Sequence, residues 1–68
     1  MRYDLVMENA IREERLRQGL TQAELGEKAR LRRISVSNIE RGIHSPTRLS
    51  RWALALALGV PEESIFKT

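Results

Sequence analysis

Between residues 33 and 41 the chain reads Arg33-Ile34-Ser35-Val36-Ser37-Asn38-Ile39-Glu40-Arg41. Wound at 100° per residue, Arg33, Ser37, Arg41, Ile34 and Asn38 share one arc of about 140°. That arc presents two guanidiniums, a carboxamide, a hydroxyl and an apolar side chain, with no acid among them. These are the groups a DNA major groove requires. Arginine forks onto guanine O6 and N7, asparagine pairs with adenine N6 and N7, and an apolar group meets the thymine methyl. The competing reading is a generic basic surface, although an ordinary solvated helix face mixes Glu, Lys and Gln. Val36 and Ile39 point the opposite way, and Leu31, just ahead, can join them in a core.

Charge along the chain points in the same direction. Residues 1–27 hold four basic and six acidic side chains, and residues 52–68 add one basic and two acidic ones. Residues 28–51 hold Lys28, Arg30, Arg32, Arg33, Arg41, Arg48 and Arg51 against the single acid Glu40. The net charge of +3 therefore comes from the central third alone. A basic stripe on a balanced domain suits a polyanion, with nucleic acid first and an anionic membrane surface second. Ten of the twelve basic residues are arginine, the side chain adapted to two-pronged recognition of phosphate or guanine.

The same composition excludes other functions. There is no cysteine and one histidine, His44, so thiolate or zinc chemistry has no ligand set and a histidine-based catalytic pair cannot be assembled. Glu13-Glu14 and Glu62-Glu63 are adjacent on helices and diverge, and no nucleophile–base constellation appears. The chain is thus not expected to be an enzyme, and no metal, cofactor or small-molecule ligand is implied. The longest apolar run, Ala53 to Leu58, is too short to span a bilayer, and no signal-peptide core follows Met1. Sixty-eight residues read as one domain, 1–68, soluble and cytoplasmic, associated with the nucleoid through DNA.

Short apolar clusters at helical spacing, without strand-like alternation, predict an all-α domain of five short helices. The first runs from Asp4 or Met7 to Gln18, with Met7, Ile11 and Leu16 inward, and stops at Gly19. The second covers Gln22 to Ala29 behind the capping box Thr21-Gln22-Ala23-Glu24. The third begins at Arg32 or Arg33 and ends at Arg41-Gly42. The fourth follows Ser45-Pro46-Thr47, with Thr47 as N-cap, and reaches Leu58 before Gly59. The last is one or two turns after Pro61, burying Ile65 and Phe66.

The stretch Arg15-Leu16-Arg17-Gln18-Gly19-Leu20-Thr21-Gln22-Ala23-Glu24-Leu25-Gly26 resembles the opening of the lambda-repressor-like (Cro/CI, XRE) helix-turn-helix family. Ile34-Ser35-Val36-Ser37-Asn38-Ile39-Glu40-Arg41-Gly42, Ser45-Pro46 and Leu58-Gly59-Val60 resemble its later segments. The match covers about residues 7–66. The resemblance implies that the second and third helices form the helix-turn-helix, with the third in the major groove. It implies that Arg33, Ile34, Ser37 and Asn38 face bases, with Arg32 reaching base or phosphate. Thr21 and Gln22 would hold a phosphate at the start of the second helix, where free N–H groups and the positive dipole end favour an anion. Arg41, the loop His44-Ser45, and Thr47 and Arg48 would lie along neighbouring phosphates. Arg15 and Glu40 match positions that the family joins in a buried ion pair.

Three positions depart from the pattern or strain it. Arg30 stands where a turn glycine is usual, Arg32 stands where Ser or Thr usually caps, and Gly26 fills a site that requires a small residue.

The fourth helix has more apolar surface than one core needs. Trp52, Ala55 and Leu58 are expected inward, with Leu54 at the edge. Leu49, Ala53 and Leu56, extended by Val60, form a second stripe suited to a homodimer interface. The expected function is a transcriptional regulator, a repressor or autoregulator, reading an inverted-repeat operator in double-stranded DNA. The alternative is an antitoxin-type protein-interaction module built on the same helices.

Overall fold

A computed structural model describes residues 9–66. Five helices follow in order: α1 (Ile11–Arg17), α2 (Gln22–Ala29), α3 (Arg33–Glu40), α4 (Arg48–Leu58) and α5 (Glu62–Ile65). Among the described residues there is no strand, only one antiparallel bridge between Asn9 and Phe66. α2 packs against both α3 and α4, and α4 packs against α5. Their shared interior is built from Ile11, Leu25, Val36, Leu54 and Ile65, all essentially solvent-free, with Ala29, Ile39, Ala55, Leu58 and Phe66 around them.

Local chemistry sets the boundaries. The Thr21 hydroxyl accepts from the Glu24 amide at 3.0 Å, and the Glu24 carboxylate accepts from the Thr21 amide at 2.8 Å. This reciprocal cap starts α2 at Gln22. Thr47 caps α4 in one direction only, its hydroxyl accepting from the Ser50 amide at 3.1 Å. α4 stops at Gly59, whose φ of 72° only a residue without Cβ adopts freely.

The turn from α2 to α3 is tight and strained. A Cβ on Gly26 would lie 2.6 Å from the Leu31 carbonyl oxygen, so even alanine would force the backbone apart. Arg30 closes α2 in the left-handed conformation, φ 62° and ψ 40°. An L side chain there costs roughly 1–2 kcal/mol. Arg30→Gly is therefore expected to stabilise the fold by about 1 kcal/mol, raising Tm by roughly 4–8 °C in a domain of this size. Thermal unfolding followed by circular dichroism checks this, and an unchanged or lower midpoint contradicts it.

Three expectations about packing are corrected. α1 begins at Ile11 and not at Asp4 or Met7, because the segment just before it is drawn into pairing with the far end of the chain. The Ala10 amide donates to the Ile65 carbonyl at 2.8 Å, and the Asn9 carboxamide donates to the Ile39 carbonyl at 2.8 Å. Met7 itself lies outside the described residues. Leu16 is exposed, since Arg15 takes the inward position beside Ile11 and Leu16 lies 100° further round. Trp52 is also outward, 54% exposed, while Leu54 is fully buried and not at an edge. The inner face of α4 is Leu54, Ala55 and Leu58.

Candidate nucleic-acid interface

α3 turns Val36 and Ile39 into the core, which fixes the rotation of every other side chain on it. Arg33, Ile34 and Arg41 stand exposed on the outward arc, and Ser37 and Asn38 are half-buried between them. The backbone carbonyl of Asn38 accepts from the Ile43 and His44 amides at 3.0 and 3.3 Å. Its carboxamide has no partner among the described residues.

The N-terminus of α3 concentrates positive charge. Arg32 occupies the N-cap position, exposed, and provides no side-chain cap. No acid lies in the first turn of α3, where the helix dipole is already positive. Arg32 and Arg33 thus stand together at the start of α3 with no ion pair among the described residues, an arrangement that suits an external anion.

The arc has two flanks. On the Glu40 side lies the start of α2. Gln22 Nε2 donates to Glu40 Oε1 at 3.1 Å, fixing the Gln22 side chain against α3. The Gln22 and Ala23 amides precede the first intrahelical bond of α2, from Leu25 N to the Thr21 carbonyl. On the opposite side the chain returns through His44, Ser45 and Thr47, all exposed, to Arg48 at the start of α4. A hollow of about 100 Å³ separates Ser45 and Thr47 from Ser35 and Ile39. Residues 21–22 and 44–48 therefore bracket the outward arc of α3.

Glu40 anchors one flank. Its carboxylate accepts from Arg15 Nε at 2.6 Å and from Arg15 Nη2 at 3.1 Å, with side chains 8% and 3% exposed respectively for Arg15 and Glu40. Arg15 Nη1 donates to the Leu20 carbonyl at 2.8 Å, so one buried guanidinium joins α1, the α1–α2 turn and α3. The hydrogen bonds that Arg15 donates to Glu40 hold its guanidinium above its already high ordinary pKa, against the opposing effect of burial.

Some residues behave differently from what spacing alone conveys. Arg51 belongs to the basic third but is turned inward, its guanidinium 4.7 Å from the centre of the Phe66 ring and 3.6 Å from Glu62. Ile43, 62% exposed in the turn after α3, is an additional apolar group beside the arc. An isoleucine between Gly42 and His44, in a turn with no core to fill, was the available signal. The Gln22–Glu40 bond had none, since its partners are 18 residues apart. The proposed second stripe on α4 is uneven. Leu49 and Leu56 are 70% and 64% exposed, whereas Ala53 and Val60 are half-buried against the core. Among the described residues no helix is long and apolar enough to cross a membrane, and no cluster of His, Cys, Asp or Glu could hold a metal ion.

Comparison with known proteins identifies the family and the fold. A helix-turn-helix family model matches residues 11–65. No curated protein matches the chain. Among solved structures, the restriction-modification controller protein C.AhdI from Aeromonas hydrophila superposes with a TM-score of 0.77 at 31% identity, over 79% of this chain and 82% of that one. The clp gene regulator ClgR from C. glutamicum gives 0.73 at 30% identity, over 78% and 69%. A point variant of the restriction-modification controller protein C.Esp1396I gives 0.73 at 34% identity, over 78% and 69%. With an uncapped α3, free of acid in its first turn and packed against α2, the chain belongs to the lambda-repressor-like (Cro/CI, XRE) helix-turn-helix family, whose members are DNA-binding transcriptional regulators and not enzymes.

Proposed function

We propose that the chain represses or autoregulates transcription by binding an inverted-repeat operator as a homodimer, with α3 in the major groove. Arg33, Ile34, Ser37 and Asn38 read base edges, and Arg32 reaches base or phosphate at the rim. Thr21 and Gln22 hold a phosphate on one flank. Gln22 spends one Nε2 proton on Glu40 and keeps the second for a phosphate oxygen. Arg41, His44, Ser45, Thr47 and Arg48 follow the backbone on the other flank. The observation that carries this reading is the acid-free arc of α3 bracketed by two anion-ready segments. Pairing of two copies through Leu49, Ala53, Leu56 and Val60 sets the two reading helices roughly 34 Å apart, one duplex turn.

Selection of bound sites from a random duplex pool tests the reading. The expected product is a twofold-symmetric sequence, and an unchanged pool contradicts it. The flanks have a separate signature. Arg48→Ala weakens binding to every duplex nearly equally and lowers the slope of log affinity against log salt by about one. Gln22→Ala weakens all duplexes and leaves that slope in place. Both are read by titration at several salt concentrations, and loss confined to one sequence would contradict the phosphate role.

A further inference from the structure

Trp52 is the chain's one tryptophan, and 54% of it is exposed. With Leu56, one helical turn on and 64% exposed, it forms an apolar ridge along α4. A hollow of about 450 Å³ lies on one side of this ridge, lined by Ala53 and Ala57 and rimmed by Lys28 and Arg30. A second hollow, of about 410 Å³, lies on the other side, lined by Ala55 and Val60 and rimmed by Glu62 and Glu63. One bank is basic and the other acidic. Among the described residues no ion pair joins the two banks, and Lys28, Arg30 and Glu63 have no salt-bridge partner.

We propose that this ridge is a charge-keyed docking surface for a second copy of the chain. The inference rests on the homodimer proposed above and specifies how it is built. A twofold axis running along the ridge brings the basic bank of one protomer against the acidic bank of its partner. An axis across the ridge would set like charges together. Charge complementarity therefore selects the arrangement with the two α4 helices parallel and rejects the antiparallel one. The ridge of each copy fills a hollow beside the ridge of the other, and the two indoles leave water together. Steering of this kind specifies the partner and its register, while the apolar ridge supplies the burial.

The test is a charge exchange between two variants, each checked for native helix content. Arg30→Glu and Glu63→Lys each place like charges across both symmetric contacts, and each is expected to raise the dimer dissociation constant roughly tenfold. Mixed in equal amounts, the two variants restore attraction at both contacts, and a heterodimer forms with an affinity close to that of wild type. Should Arg30→Glu fail to fold at its left-handed position, Lys28→Glu replaces it. Trp52 emission of the wild type shifts to the blue as the protein is concentrated through the dimerisation range. If the wild type sediments as a dimer but the variants associate as it does, or the mixture is not restored, or the emission is unmoved, the keyed ridge is wrong and the dimer stands. A wild type that remains monomeric at tens of micromolar removes the homodimer itself.

Discussion

Glu40→Ala is expected to lower the unfolding free energy by about 3–5 kcal/mol, the cost of leaving one member of a buried ion pair unpaired. Arg15 is 7% exposed, and after the substitution its guanidinium keeps the Leu20 carbonyl but loses both carboxylate contacts. Small domains have roughly 5–15 kcal/mol in total, so the variant loses a large part of its margin. Chemical denaturation with circular dichroism measures the loss, and equal midpoints for variant and wild type would contradict the assignment. The exposed Arg17–Glu14 pair provides the contrast, with Arg17 73% exposed. Breaking it with Arg17→Ala should leave the unfolding midpoint nearly unchanged. Replacing both buried partners, as in Arg15→Met with Glu40→Leu, should recover much of what Glu40→Ala loses, because no orphaned charge remains. Glu40 lies outside the base-facing arc, so the folded fraction of Glu40→Ala should keep its sequence preference.

Asn38→Ala should have the opposite profile. Its carboxamide has no partner among the described residues and its backbone contacts survive substitution, so the fold is expected to change little. Binding to the selected operator should weaken by about 1–3 kcal/mol, localised to one or two base pairs, while random duplex is bound as before. Arg33→Ala should cost a similar amount on the operator. It also removes a positive charge, so binding to random duplex should fall slightly and become less salt-dependent. Competition titrations with operator and random duplex separate the two effects. An equal loss on both duplexes from Asn38→Ala would remove that residue from base reading.

The parts of the fold legible in the sequence are those determined by neighbours a few residues apart. Thr21 with Glu24 and Thr47 with Ser50 specify two helix starts through bonds closed within one turn. Val36 and Ile39 orient α3 because they are the apolar residues of its inner face, which is why the outward arc could be read off. The rest depends on distant partners. α1 starts late because Asn9 and Ala10 bond to residues 39, 65 and 66, and no local spacing reveals that. Leu16 looks like core until Arg15, bound for Glu40, claims the inward side. α4 is apolar nearly all round, so periodicity alone admits two rotations. Burial of Leu54 in place of Trp52 distinguishes the one adopted.

Chemical protection of the selected operator tests most directly whether α3 lies in the major groove. Dimethyl sulfate methylates guanine N7 in the major groove and adenine N3 in the minor groove. Bound protein is expected to shield guanine N7 positions in two clusters about one duplex turn apart, on one face of the helix, and Arg33→Ala should re-expose at least one guanine in each. Full binding with every guanine N7 still reactive, or with shielding confined to adenine N3, would contradict it.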